Sequence, residues 1–243
     1  MLQYDIDRLL SRGFVLLPKI VDVSTTMKLR HDLERESYAD LPTNYSTGHC
    51  QQQPTYIPSE LLLDRRIHDV IEAILGPGYC MNSFTCNTNA GATEAQPFHM
   101  DCSHFHGQRA RQLCGCGPPH ELIVNLYLQD TNEHNGSLDI IPGSHLETDV
   151  ELGEDGEVHE RFLCDASSQR VNAEEGSILI RDKRTWHRGM PNHTETPRCM
   201  IGVRFTSKWL RAVPLSFPEY ERFAFAHVHF DVENISFLRV QSL

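Results

Sequence analysis

Three histidines, an aspartate and a cysteine crowd the stretch QPFHMDCSHFHG, residues 96–107. Within it, His99 and Asp101 stand at i and i+2. On a β-strand those positions share a face, so an imidazole and a carboxylate would project together and could hold one divalent cation. The pair by itself is a weak signal, since a strand-end histidine bonded to a neighbouring aspartate is commoner than a metal site. A third ligand has to come from elsewhere. His187, in RDKRTWHRGMPNH, is the best candidate, because the apolar run GSILIRD before it would deliver it to the end of a barrel. Two histidines and one carboxylate on one side of a metal leave coordination positions open, the arrangement used by non-haem Fe(II) oxygenases. Arg198 follows His187 by eleven residues (198 − 187) and opens the next strand-like run, TPRCMIGVRF. Arginine can clamp a carboxylate with two parallel hydrogen bonds. A co-substrate such as 2-oxoglutarate would suit this set, with its keto-acid end on the metal and its far carboxylate on Arg198.

Positioning such a set requires a rigid β core. From Tyr79 onward the chain reads as short strands: YCMNSFTCNT, ELIVNLYLQD, SLDIIPGSH, GSILIRD and CMIGVRFT. Each is rich in Val, Ile, Leu or Phe and bounded by turn formers. Successive strands without intervening helices predict an antiparallel sandwich or jelly roll. Before them, SRGFVLLPKIVD predicts a short apolar strand after a turn, and STTMKLRHDLERESYAD a surface helix capped by Ser24. SELLLDRRIHDVIEAILGPG predicts one helix, capped by Ser59 and ended at Gly76-Pro77, with Ile67, Val70, Ile71, Ile74 and Leu75 on its buried face. LPTNYSTGHCQQQPTYIP predicts a long ordered loop. The aromatic-rich tail is expected to pack back on the core, with a short helix near PEYERFAFA. The whole chain, 1–243, reads as one α+β domain.

Composition narrows the function. The 243 residues carry a net charge of −11 and no basic cluster, which argues against a nucleic-acid partner and mildly against a polyanionic substrate. No apolar run approaches the ~20 residues that cross a bilayer, and the N-terminus lacks a signal pattern, so a cytoplasmic protein with no membrane partner is expected. The eight cysteines are then expected to be reduced thiols.

The blocks RGFVLLPKIVD, IEAILGPGY, QPFHMD, NLYLQDTNEHNGSLDIIPGSH and EEGSILIRDKRTWHRGMPNHTETPRCMIGVRF together resemble the phytanoyl-CoA dioxygenase family of Fe(II)/2-oxoglutarate oxygenases. The resemblance covers most of the chain. It implies a double-stranded β-helix core, a cupin-like jelly roll, with the N-terminal helices packed on it. It implies His99, Asp101 and His187 as iron ligands and Arg198 as the partner of the far carboxylate of 2-oxoglutarate. Gln96 matches a co-substrate contact of some biosynthetic members. The reaction implied couples O₂ and decarboxylation of 2-oxoglutarate to attack on an unactivated C–H bond. The presence of Asp101 argues against halogenation, because related halogenases lack the carboxylate. A natural-product intermediate is the expected small-molecule substrate; an acyl-CoA or lipid hydroxylase is the alternative, and a non-catalytic metal-binding barrel a more distant one.

Other residues compete for attention. Cys102, His104, His106, Cys114, Cys116 and His120 could suggest zinc, but Cys114 and Cys116 are too close for the usual spacing. The reading adopted is a loop over the site mouth in which His104 or His106 meets substrate. Tyr45, Gln52 and Tyr56 are the corresponding candidates from the polar loop. His145, His227 and His229 read as structural. Arg181, Arg184 and Trp186 precede the distal histidine and could support it, although Trp186 could equally be core.

Overall fold

The computed structural model describes residues 1–33, 49–52, 54, 56–91, 94–101, 117–147, 157–163, 166–208 and 229–230. Its frame is a major sheet of six strands. In chain order these are β1 (Phe14–Leu17), β2 (His49–Gln52), β4 (Cys80–Asn89), β5 (Glu121–Tyr127), β8 (Ile178–Asp182) and β10 (Arg198–Thr206). Their spatial order is β1-β8-β5-β10-β4-β2, with every neighbouring pair antiparallel. A minor sheet places β6 (Leu138–Ile140) between β7 (Gln169–Val171) and β9 (His187–Arg188). A further parallel pair joins β3 (Tyr56–Ile57) to β11 (His229–Phe230). This is the expected jelly-roll architecture with helices added at the N-terminal side.

Alternation along the strands makes the two faces of the major sheet unlike each other. Leu122, Val124 and Leu126 of β5, Ile178 and Ile180 of β8, Ile201 and Val203 of β10 and Phe84 of β4 belong to one buried cluster. That cluster also takes in Leu9, Leu29, Leu61, Ile67, Val70 and Ile71 from the helices. The residues between them on each strand point the other way, because side chains alternate. On that inner face stand Asn125, Tyr127, Arg181, Arg198, Gly202 and Thr85.

The helices depart from expectation in three places. The first residues form α1 (Leu2–Arg12), which the sequence reading left unassigned; it ends at Gly13 in the left-handed conformation, φ 82. α2 (Val23–Leu33) begins one residue before Ser24, and the Asp22 carbonyl receives the Thr25 and Thr26 N–H groups, so Ser24 is not the cap. The predicted single helix at 59–75 is two, α3 (Ser59–Leu63) and α4 (Arg65–Leu75). Asp64 breaks it: its carboxylate accepts from Arg66 N at 2.8 Å and starts α4 afresh. Part of the predicted long loop is strand, since His49–Gln52 pairs with Cys86–Asn89 of β4. The helix expected near PEYERFAFA lies outside the described residues.

Candidate metal centre and co-substrate pocket

His187 and His99 are brought together by backbone pairing. His187 N donates to His99 O at 2.9 Å and His99 N to His187 O at 3.0 Å, an isolated antiparallel bridge beside β9. Two residues on, Asp101 N donates to the Lys183 carbonyl at 3.2 Å. Residues 96–101 form this isolated bridge and not a strand, and His99 and Asp101 nonetheless share one place. His99, Asp101 and His187 offer ligand atoms that all lie within 4.8 Å of one another, the one such group of three among the described residues.

Each imidazole is set for ligation by a backbone carbonyl two residues before it. His99 Nδ1 lies 2.9 Å from Pro97 O, and His187 Nδ1 lies 3.0 Å from Thr185 O. A carbonyl only accepts, so each Nδ1 carries a hydrogen, which leaves Nε2 as the nitrogen that can face a metal. Burial, reinforced by the Arg181 charge, pushes His187 well below the usual imidazole range, so it is neutral at pH 7. Burial would raise the Asp101 carboxyl, but Arg181, His187 and His99 outweigh it and hold it far below the usual carboxylate range. A metal site needs such a combination, a neutral imidazole at His187 and an ionised carboxylate at Asp101.

Arg181 of β8 supports the centre directly. Its Nη2 donates to Asp101 Oδ2 at 2.6 Å, and its Nε donates to Asn125 Oδ1 at 3.3 Å. Trp186 is core: it is buried with Phe98, Met100, Ile141 and Val158. Arg184 is bound to Asp182 and the Gly117 carbonyl.

The centre opens into a cavity of about 180 Å³. Gln96, Arg181, Leu138, Arg198, Met200, Gly202 and Arg204 line it, with Ser83, Thr85 and Asn87 in a row along β4. Arg198, 2% exposed, donates from Nη2 to Gly136 O at 3.1 Å, while its Nε has no hydrogen-bond partner among the described residues. Gly136 sits at φ 87, and a Cβ there would stand 2.8 Å from Met190 O, so only glycine lets this carbonyl reach the guanidinium. Tyr127 is wholly buried, within electrostatic reach of Arg198, and its hydroxyl has no partner among the described residues. Burial pushes that phenol upward, so it remains a donor. A buried guanidinium N–H and a buried hydroxyl without acceptors call for an anion, and the residues present therefore fit 2-oxoglutarate as they fit a divalent metal. Tyr127 carried no sign of this in the sequence beyond its place on the inward face of ELIVNLY.

Gln96 lines the cavity too, with its oxygen fixed by the Gly189 N–H at 2.8 Å. That bond decides the amide orientation and leaves the NH₂ as a donor. Gln52 and Tyr56, expected at the substrate, do not line the cavity. Gln52 is buried behind the sheet, donating to Leu33 O at 3.0 Å and accepting from Thr88 Oγ1 at 2.7 Å. Tyr56 packs in the outer core under Lys28, its hydroxyl donating to Thr25 O. Both expectations are corrected to scaffold roles. Tyr45, His104, His106, His227 and the cysteines 102, 114, 116 and 164 lie outside the described residues. Cys86 is a buried free thiol. His145 holds α1, its Nε2–H on the Leu10 carbonyl at 3.0 Å, as its structural reading required. No helix among the described residues is long and apolar enough to cross a membrane.

Comparison with known proteins agrees with this fold. The family model described as phytanoyl-CoA dioxygenase matches residues 24–200. Among solved structures, the epimerase SnoN, in a complex with Fe³⁺, α-ketoglutarate and nogalamycin RO, is 20% identical with a TM-score of 0.63, covering 85% of this chain and 83% of its own. AviO1 from Streptomyces viridochromogenes is 18% identical with a TM-score of 0.64, over 86% of this chain and 96% of its own. HygX from Streptomyces hygroscopicus, with nickel and 2-oxoglutarate bound, is 15% identical with a TM-score of 0.65, over 85% and 87%. At these identities the likeness is one of fold.

Proposed function

The chain belongs to the phytanoyl-CoA dioxygenase family of Fe(II)- and 2-oxoglutarate-dependent enzymes, and from that premise we propose that it oxidises an unactivated C–H bond of a compact small molecule, by hydroxylation. One observation carries the reading: His99, Asp101 and His187 converge on a cavity whose wall holds Arg198 with a buried, unpartnered Nε. Fe(II) with 2-oxoglutarate bound supplies the activation of O₂, with succinate and CO₂ as the co-products.

The chain's own residues do the rest. His99 and His187 present Nε2, and Asp101 a carboxylate oxygen, to the metal. Arg198, on the cavity wall and within electrostatic reach of the Tyr127 hydroxyl, would receive the far carboxylate of 2-oxoglutarate through charge-assisted hydrogen bonds. The Gln96 NH₂, its oxygen already held by Gly189 N–H, would be available to donate to the co-substrate. Ser83, Thr85 and Asn87 offer a polar wall, which suits an oxygenated natural-product intermediate better than an acyl chain. That nogalamycin RO is present in the SnoN complex supports the same substrate class.

The test is succinate release from 2-oxoglutarate with Fe(II), O₂ and a panel of oxygenated small molecules. Release should require Fe(II) and vanish in His99→Ala and Asp101→Ala. A product that gains one oxygen atom supports hydroxylation; an isomer of the substrate would mean epimerisation, the activity in the name of SnoN. Iron-loaded protein that neither binds 2-oxoglutarate nor releases succinate with any compound would sink the proposal.

A further inference from the structure

We propose that Arg181 is a positioning residue whose charge makes metal binding and 2-oxoglutarate binding depend on one another; the inference rests on the metal-site reading above. Arg181 is 6% exposed and is held on three sides. Nη2 donates to Asp101 Oδ2 at 2.6 Å, Nε donates to Asn125 Oδ1 at 3.3 Å, and Nη1 lies 3.4 Å from His187 Nδ1. The last is a contact and not a hydrogen bond, because His187 Nδ1 already gives its hydrogen to Thr185 O. One guanidinium therefore touches two of the three candidate ligands, and Asn125 on the adjacent strand fixes where it sits.

Two consequences follow from this placement. Asp101 Oδ2, which Arg181 holds, also lies 3.7 Å from His187 Nε2, so the guanidinium competes for the carboxylate oxygen nearest a candidate ligand nitrogen. The second consequence concerns charge. Asp101 is the one acidic residue among the three candidate ligands, and Arg181 offsets its charge before any metal arrives. A divalent cation then enters a recessed site with no net negative charge from the Asp101–Arg181 pair. Charges a few ångströms apart in such a site are poorly screened. The two carboxylates of 2-oxoglutarate bring what is missing. By linkage, the factor by which 2-oxoglutarate tightens the metal equals the factor by which the metal tightens 2-oxoglutarate. Chelation alone gives part of that factor; Arg181 enlarges it by weakening the metal on its own.

The experiment is a titration of metal-free protein with Mn(II), read by the loss of the free Mn(II) electron paramagnetic resonance signal, with and without saturating 2-oxoglutarate and without turnover. Arg181→Gln should bind Mn(II) alone about as well as or better than the parent, and the enhancement by 2-oxoglutarate should fall about tenfold, within the usual span of coupling factors. Arg181→Lys keeps the charge and should keep most of the enhancement. A merely structural Arg181 would behave differently: Arg181→Gln would weaken Mn(II) in both conditions and leave the enhancement unchanged, and that result overturns the inference. Should Arg181→Gln fail to fold by circular dichroism, folded Arg181→Lys decides: an enhancement about tenfold below the parent's, with the charge still in place, would overturn the inference. If the parent protein binds no Mn(II) in either condition, the failure belongs to the metal-site reading instead.

Discussion

Two buried ion pairs stand side by side at the end of β8, and they are built to opposite ends. Lys183 donates to Glu121 Oε2 at 2.7 Å, and both side chains are almost wholly enclosed, at 0% and 2% exposed. Thr206 Oγ1 occupies the other Glu121 oxygen at 3.2 Å, so that carboxylate is closed on both sides. Arg181 donates to Asp101 Oδ2 at 2.6 Å, but the Asp101 side chain remains 28% exposed, facing the cavity with a carboxylate oxygen to spare. Burial works to raise both acids, and the cationic partners hold both below the usual range. The charges alike, the difference lies in satisfaction. A pair whose atoms are all used is scaffold, and a pair that leaves an acceptor aimed at a cavity, beside two imidazoles, is a site.

Breaking each pair should therefore fail in a different way. Asp101→Ala should abolish succinate release and cost metal affinity beyond the roughly 10–100-fold that loss of a supporting partner costs. Its effect on stability should be small, because water from the cavity can reach Arg181. Metal titration and urea unfolding on the same preparation check both halves. Glu121→Leu should do the reverse. It strands the Lys183 ammonium in the core and should cost about 3–5 kcal/mol of unfolding free energy, while folded protein keeps its metal affinity. If Glu121→Leu unfolds no more easily than Asp101→Ala, the contrast between closed and open pairs is wrong.

Arg198 extends the comparison along the cavity. Its Nη2 is used by Gly136 O but its Nε is not, so it too is a buried charge with capacity left over. Arg198→Met should raise the KM for 2-oxoglutarate by roughly 30-fold or more, in line with about 2–5 kcal/mol for truncating a buried charged partner. Metal affinity measured without 2-oxoglutarate should hold steady. A drop in both would make Arg198 a structural residue.

How far the sequence disclosed this division depends on the range of the interaction. The strands were legible because alternation is local: ELIVNLY shows its apolar outer face and its polar inner face at a glance. The metal pair was legible for the same reason, through i and i+2 spacing, and His187 and Arg198 through the strand edges they occupy and the family blocks around them. The break at Asp64 was hidden, since the apolar spacing continues across it and only the capping bond to Arg66 reveals it. The acids and bases in DIDRLLSRG likewise concealed α1, whose few buried contacts include Leu9. Gln52 and Tyr56 were misplaced for a further reason: a polar side chain in a turn-rich stretch looks exposed until its pairing strand is known. The Arg181–Asn125 bond links residues 56 positions apart, and no local pattern could announce it.

The smallest effect tests the principle most directly. Tyr127 carries a hydroxyl that is buried, protonated and unpartnered in the protein alone. An unsatisfied buried hydroxyl costs stability, and a hydrogen bond to a charged acceptor gains about 1.5–3 kcal/mol. Tyr127→Phe keeps the ring packed against the Met200 and Leu138 cluster and removes the oxygen alone. The two readouts should then move in opposite directions. Unfolding free energy without ligands should stay level or rise by up to ~1 kcal/mol, whereas the KM for 2-oxoglutarate should rise about 5–10-fold and kcat should change little. The stabilisation conferred by saturating 2-oxoglutarate with metal should shrink accordingly, because bound ligand stabilises in proportion to its affinity. A Tyr127→Phe protein with unchanged KM would place the hydroxyl with the closed scaffold, alongside Lys183 and Glu121, and would leave Arg198 as the carboxylate's partner on that wall.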